Sequence, residues 1–145
     1  MSSQDIVFKN VDNFTEAKYI IGKITTTWDT AADLEGVLLK DGRLSLVQIK
    51  NRDVGTVIFD IYQCPDILKV RGGLRDLLES LDHAKILHDC RHDYNGLLGQ
   101  FNIRMVNVMV KHREGLWEQR PLPEYLLQYA AFDVEHLENI TVQLD

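Results

Sequence analysis

Asp33 and Glu35 stand two residues apart, Asp93 adds a third acid, and Tyr129 precedes a fourth, Asp133, by four residues. On an extended strand residues i and i+2 point to one face, so Asp33 and Glu35 would present their carboxylates together. Tyr129 and Asp133 would share one face of a helix. Four acids gathered at one point would repel strongly unless divalent cations neutralised them, because hard cations take carboxylate oxygens. Two such ions roughly 3.5–4 Å apart clamp the attacking and the leaving oxygen of an in-line displacement. A phenol beside a metal-bound water can orient it or help accept its proton.

Each pattern alone has a plainer explanation. Asp33 and Glu35 read as the solvated side of an edge strand. Asp93 reads as a helix-start residue satisfying backbone donors, with Asp89 the competing acid at the preceding strand end. Tyr129 and Asp133 read as the boundary of an amphipathic helix.

The elements that would position these residues are legible in outline. Asn13, with Glu16 three residues on, is a capping box opening a short helix that Gly22 would end. Strands are expected over Ala31–Leu39, Leu44–Lys50 and Thr56–Tyr62, the first two antiparallel around the Asp41-Gly42 turn signal. The second is apolar on both faces and therefore central. Leu74–Leu81 is a helix with a leucine stripe, Lys85–His88 a short buried strand and Tyr94–Phe101 a helix. Met105–Val110 follows as a last strand, and Pro121 opens a final helix to about Asn139. Strands first, then alternating helices and strands, indicate an α/β protein with a mixed sheet. Asp93 then falls just past a strand's carboxyl end, where α/β folds present groups to a crevice.

The 145 residues, 45% of them hydrophobic, suit one domain, residues 1–145, with a real core. Cys64 and Cys90 are too few for a disulfide framework and read as reduced structural thiols. The N-terminus shows no secretory signal and no apolar run approaches the roughly 20 residues of a membrane span. The expectation is a soluble protein of the cytoplasm or nucleus. A net charge of −6 argues against extended duplex binding and fits the holding of a few nucleotides. Arg71, Arg75, Arg91, His92 and Arg104 form the one region where basic residues gather, a candidate track for phosphates. No basic recognition helix of a sequence-specific DNA reader is present.

The order Asp-x-Glu, Asp, Tyr-x-x-x-Asp resembles the DEDDy 3′-5′ exonucleases, the RNase D and Werner exonuclease superfamily. Leu46-Val47-Gln48-Ile49 and Trp117-Glu118-Gln119-Arg120-Pro121-Leu122 are similar to what the RNase D branch carries beside its first and third motifs. The resemblance spans Val11 to Leu137. It implies a ribonuclease H-like mixed sheet flanked by helices. It also implies two Mg²⁺ or Mn²⁺ ions held by Asp33, Glu35, Asp93 and Asp133, with Tyr129 positioning the water that attacks a 3′-terminal phosphodiester of single-stranded RNA. Within the superfamily, His88-Asp89-Cys90-Arg91 is most similar to an exonuclease-domain branch associated with the PIWI-interacting RNA pathway. That branch implies a second reading: an RNA-binding adaptor without turnover, homodimeric, with protein partners in a small-RNA processing complex. All four acids and the tyrosine are present, which favours the enzyme; the shortened chain, the acidic charge and the branch favour the adaptor. In relatives several dozen residues of helix follow the last strand, whereas here Met109–Gly115 leads almost directly into Trp117, so an internal segment is missing relative to the family.

Overall fold

The computed structural model of the chain describes residues 7–88 and 91–111, together with 118, 120–122, 124 and 127. In chain order the elements are β1 (Lys9–Val11), α1 (Phe14–Ile21), β2 (Thr30–Gly36), β3 (Leu44–Asn51), β4 (Gly55–Asp60), α2 (Asp66–Lys69), α3 (Leu74–Glu79), β5 (Lys85–His88), α4 (Arg91–Phe101) and β6 (Val108–Lys111). The strands form one mixed sheet in the order β1-β4-β3-β2-β5-β6. β2, β3 and β4 pair antiparallel, while β1 on β4, β5 on β2 and β6 on β5 are parallel. This is a ribonuclease H-like α/β arrangement, as the sequence led one to expect. No helix among the described residues is long and apolar enough to cross a membrane.

Register decides which face is core. Leu34 lies opposite Val47 and Val47 opposite Phe59; Ala32, Ile49 and Val57 form the next row. All six are buried and join Ala17 and Ile20 of α1, Ile67 of α2 and Leu74, Leu77 and Leu78 of α3 in one apolar cluster. Asn13 caps α1 as its sequence suggests: its side-chain oxygen accepts from Glu16 N–H at 2.9 Å. β3 is internal to the sheet, as its two apolar faces require.

The structure also departs from the expected boundaries. β2 stops at Gly36, where φ reaches +131° and the pairing slips, and not at Leu39. The β2–β3 connection is therefore residues 37–43, longer than a tight hairpin at Asp41-Gly42. The close approach of the chain to Val37 at Gly42 leaves no room there for a Cβ. α3 ends at Glu79, so Leu81 is exposed and not part of the leucine stripe. The last described strand begins at Val108, with Met105 buried ahead of it. β1 and α2 are too short to announce themselves in the sequence. The expected final helix from Pro121, with Tyr129 and Asp133, lies outside the described residues apart from the few named.

α3 ends where it does because of a buried lysine. Lys85 at the start of β5 is fully enclosed, and its Nζ donates to Leu77 O at 2.9 Å and Ser80 O at 2.7 Å. A donor there satisfies carbonyls that a helix end leaves open. Burial pushes its ammonium from the usual 10.5 down to about 8. Because the unfolded chain then binds the proton more tightly, this group's contribution to stability rises with pH between about 8 and 10.5. Lys85→Met removes both donors and is expected to destabilise the fold by about 1–3 kcal/mol. Denaturant melts of both proteins should show the wild-type advantage widening from pH 8 to 10; a gap that narrows would contradict it.

Candidate functional site

β2 puts two acids on the open side of the sheet. Asp33 and Glu35 are exposed while Ala32 and Leu34 between and beside them are buried. Opposite them on the same face stand Gln48 and Leu46 of β3. Gln48 Nε2 donates to Glu35 Oε1 at 3.4 Å, and Gln48 Oε1 is buried with no hydrogen bond. Asp33 Oδ1 accepts the N–H of Leu34 at 2.9 Å. No lysine or arginine among the described residues forms an ion pair with either acid. Two carboxylates on one face with no cation among the described residues paired to them are oxygen donors of the kind a hard divalent cation takes.

The third acid comes from α4. β2 and β5 are parallel neighbours, so their carboxyl ends lie at one edge of the sheet. α4 starts just beyond β5, and its first turn carries Asp93, only 6% exposed. Further along, Gly96 faces Leu38, where a Cβ would sit 3.3 Å from the Leu38 Cα. Gly99 faces Lys40, where a Cβ would lie 2.9 Å from its Cα. One residue on, Gln100 Nε2 donates to Val37 O at 2.8 Å and Leu39 O at 2.7 Å, while its Oε1 accepts Leu44 N–H at 2.7 Å. The segment leaving β2 is thus gripped by the helix that carries Asp93, and all three acids belong to the same edge.

Among the described residues no three of His, Cys, Asp and Glu converge closely enough to hold an ion. Tyr129 and Asp133, which the expected quartet requires, lie outside the described residues, as does Asp89. Sequence reasoning missed Gly96, Gly99 and Gln100. Their partners are distant in the chain, and an isolated glycine in a helical pattern reads as a weak point, so no local signal marked them.

The expected basic track is thinner than the sequence suggested. Arg75 is a structural residue: its guanidinium donates to Phe101 O and Asn102 O, both at 3.2 Å, and to Glu79 at 3.3 Å. It closes the end of α4, where Asn102 turns into the left-handed region at φ 55°. Arg71 reaches the same Glu79 at 3.0 Å but stays largely exposed, and Arg104 is exposed. His92 is half-buried in the first turn of α4; the side chain of Arg91 lies outside the described ones.

Comparison with known proteins adds the relationship. A family model described as 3′-5′ exonuclease matches residues 8–114, well over half of the chain. RNase D of Trypanosoma brucei in complex with RNA U12 superposes with a TM-score of 0.62 at 23% identity, over 89% of this chain and 59% of that one. The catalytic core of RRP6 from the same organism gives 0.62 at 18%, over 90% and 44%. The EXD2 exonuclease domain soaked in Mn and GMP gives 0.57 at 17%, over 88% and 84%. At these identities the likeness shows the fold, and the chain spans less than two thirds of the RNase D structure. No curated protein matches the sequence.

The packing of α4 is testable. Gly→Ala inside a helix normally stabilises by up to about 1 kcal/mol. At Gly99 the added methyl would meet the Lys40 backbone, so Gly99→Ala should instead destabilise by about 1–3 kcal/mol. Equilibrium unfolding reads the sign directly, and a stabilised variant would show that α4 stands off from the connection.

Proposed function

The chain belongs to the 3′-5′ exonuclease domain family, and we propose that it removes nucleotides from the 3′ end of single-stranded RNA by metal-dependent hydrolysis. The observation that carries the reading is the pair of uncompensated carboxylates on β2, at the same sheet edge as the buried Asp93 of α4. The likeness to an RNase D structure that contains RNA supports RNA as the substrate class.

Asp33, Glu35 and Asp93, with Asp133, are the residues that would hold two Mg²⁺ or Mn²⁺ ions. When bound, such ions supply Lewis-acid stabilisation of the phosphoryl charge and a nucleophilic water. Gln48 donates its amide N–H to Glu35 across the strand pair, while its own oxygen is buried. Tyr129 would orient the attacking water and help take its proton. The water oxygen bonds to phosphorus, the bond to the 3′ oxygen of the penultimate nucleotide breaks, and that oxygen leaves with a proton. The products are a nucleoside 5′-monophosphate and a strand shorter by one. The chain's net charge of −6 confines the grip on phosphate to a short stretch.

Incubation of 5′-labelled single-stranded RNA with Mn²⁺ should give a ladder descending from the 3′ end. The double substitution Asp33→Asn, Glu35→Gln should reduce the rate at least about 10²-fold, the scale of losing an electrostatic stabiliser of a transition state. Mn²⁺ should raise the melting temperature of wild type and not of this variant, since a ligand bound to the folded site alone stabilises it. Tyr129→Phe should lower turnover while leaving the RNA dissociation constant unchanged. A wild type whose melting temperature rises with Mn²⁺ but which never shortens RNA would contradict the proposal and favour a protein that binds without cleaving.

A further inference from the structure

We propose that Arg43 and Tyr62 form a stacking platform that holds an unpaired base of the substrate strand upstream of the acid edge. The inference rests on the activity proposed above. The Arg43 guanidinium lies over the Tyr62 ring, 3.9 Å from its centroid. Both residues are exposed, and Arg43 forms no ion pair among the described residues. Their backbones are fixed: Val37 N–H donates to Arg43 O at 3.1 Å, and the N–H groups of Ile61 and Tyr62 both donate to Ser45 O, at 2.9 and 3.0 Å.

Position separates this pair from ordinary surface contacts. Glu35 of β2 stands opposite Leu46 of β3, which stands opposite Asp60 of β4. Arg43 and Tyr62 lie just past this row, at the edge where β2 ends and α4 grips its connection. Two other cation–ring pairs occur among the described residues, Lys23 over Tyr19 and Arg52 over Trp28. They lie elsewhere: Arg52 is in the β3–β4 turn, at the amino end of β2, and Lys23 follows α1.

β2 and β4 are two strand spacings apart, about 10 Å. For a strand whose bases stay stacked, at a rise of about 3.4 Å, that is roughly two to three nucleotides from Glu35. Arginine planes and aromatic faces both stack unpaired bases, tolerating any sequence. Arg43 also brings a positive charge to an acidic edge, where a strand passing the acids needs its phosphates compensated. Val37 and Leu39 beside it are 54% and 61% exposed, extending the apolar floor.

The test uses the full chain and a single-stranded RNA carrying 2-aminopurine three nucleotides from its 3′ end, with Ca²⁺ replacing Mn²⁺ so that the strand stays whole. Fluorescence anisotropy gives the dissociation constant, and quenching of 2-aminopurine reports stacking. Tyr62→Ala should weaken binding by about 5- to 100-fold, the scale of one lost base stack, and abolish the quench. Tyr62→Phe should retain both, while Arg43→Ala should weaken binding and reduce the quench. A Tyr62→Ala protein that binds as tightly, or quenches as fully, as wild type overturns the platform, even if wild type cleaves RNA in Mn²⁺. A wild type that binds and quenches in this Tyr62-dependent way but never cleaves sustains the platform and removes the activity. A wild type that fails to bind the strand overturns the platform as well.

Discussion

One side-chain amide, that of Gln100, makes three short hydrogen bonds to the backbone of the segment joining β2 to β3. Each such bond has a net worth of only about 1 kcal/mol, and the three act together because one rigid amide makes them all. Gly96 and Gly99 let the helix come close enough for the amide to reach. The consequence is geometric: the helix bearing Asp93 is tied by this amide to the segment that leaves the strand bearing Asp33 and Glu35. Arg75, bonded to Phe101 O and Asn102 O, fixes the far end of the same helix.

Among the described residues, the carboxylates of Asp33 and Glu35 accept only a neighbouring backbone N–H and the Gln48 amide. Asp33 and Glu35 are not paired with cations among the described residues, and the nearby Gln48 Oε1 is buried without a donor. Such arrangements run against packing and electrostatic economy, and they concentrate at functional sites. Water screens the two exposed carboxylates in the free protein; a bound cation would offset their repulsion more fully. Arg43, stacked on Tyr62 at the same edge, supplies the opposite charge where an anionic strand would run.

What could be read from the sequence was what depends on short range. The two-residue spacing of Asp33 and Glu35 placed both on one face, the Asn13–Glu16 box marked the start of α1, and the doubly apolar β3 proved internal. What depends on distant partners was not legible. Asp41-Gly42 announced a turn and an antiparallel pair, but Gln100, nearly sixty residues later, draws the connection out over residues 37–43. Leu81 fitted the leucine stripe, yet Lys85 takes the last carbonyls of α3 and ends it earlier. Arg75 looked like part of a phosphate track because its acceptors, 26 and 27 residues away, are backbone carbonyls that no composition count reveals. The third motif, Tyr129 to Asp133, and Asp89 and Cys90 of the branch-like run lie outside the described residues.

Asp33 and Glu35 of β2 and Asp93 of α4 lie at one edge of the sheet without closing into a metal site by themselves, and we propose that a divalent cation draws them together. Anomalous diffraction from crystals grown with Mn²⁺ shows whether it does. The expected result is an anomalous peak beside the Asp33 and Glu35 carboxylates, with Asp93 turned to the same cluster. A peak elsewhere on the protein, or none at saturating Mn²⁺, would contradict it.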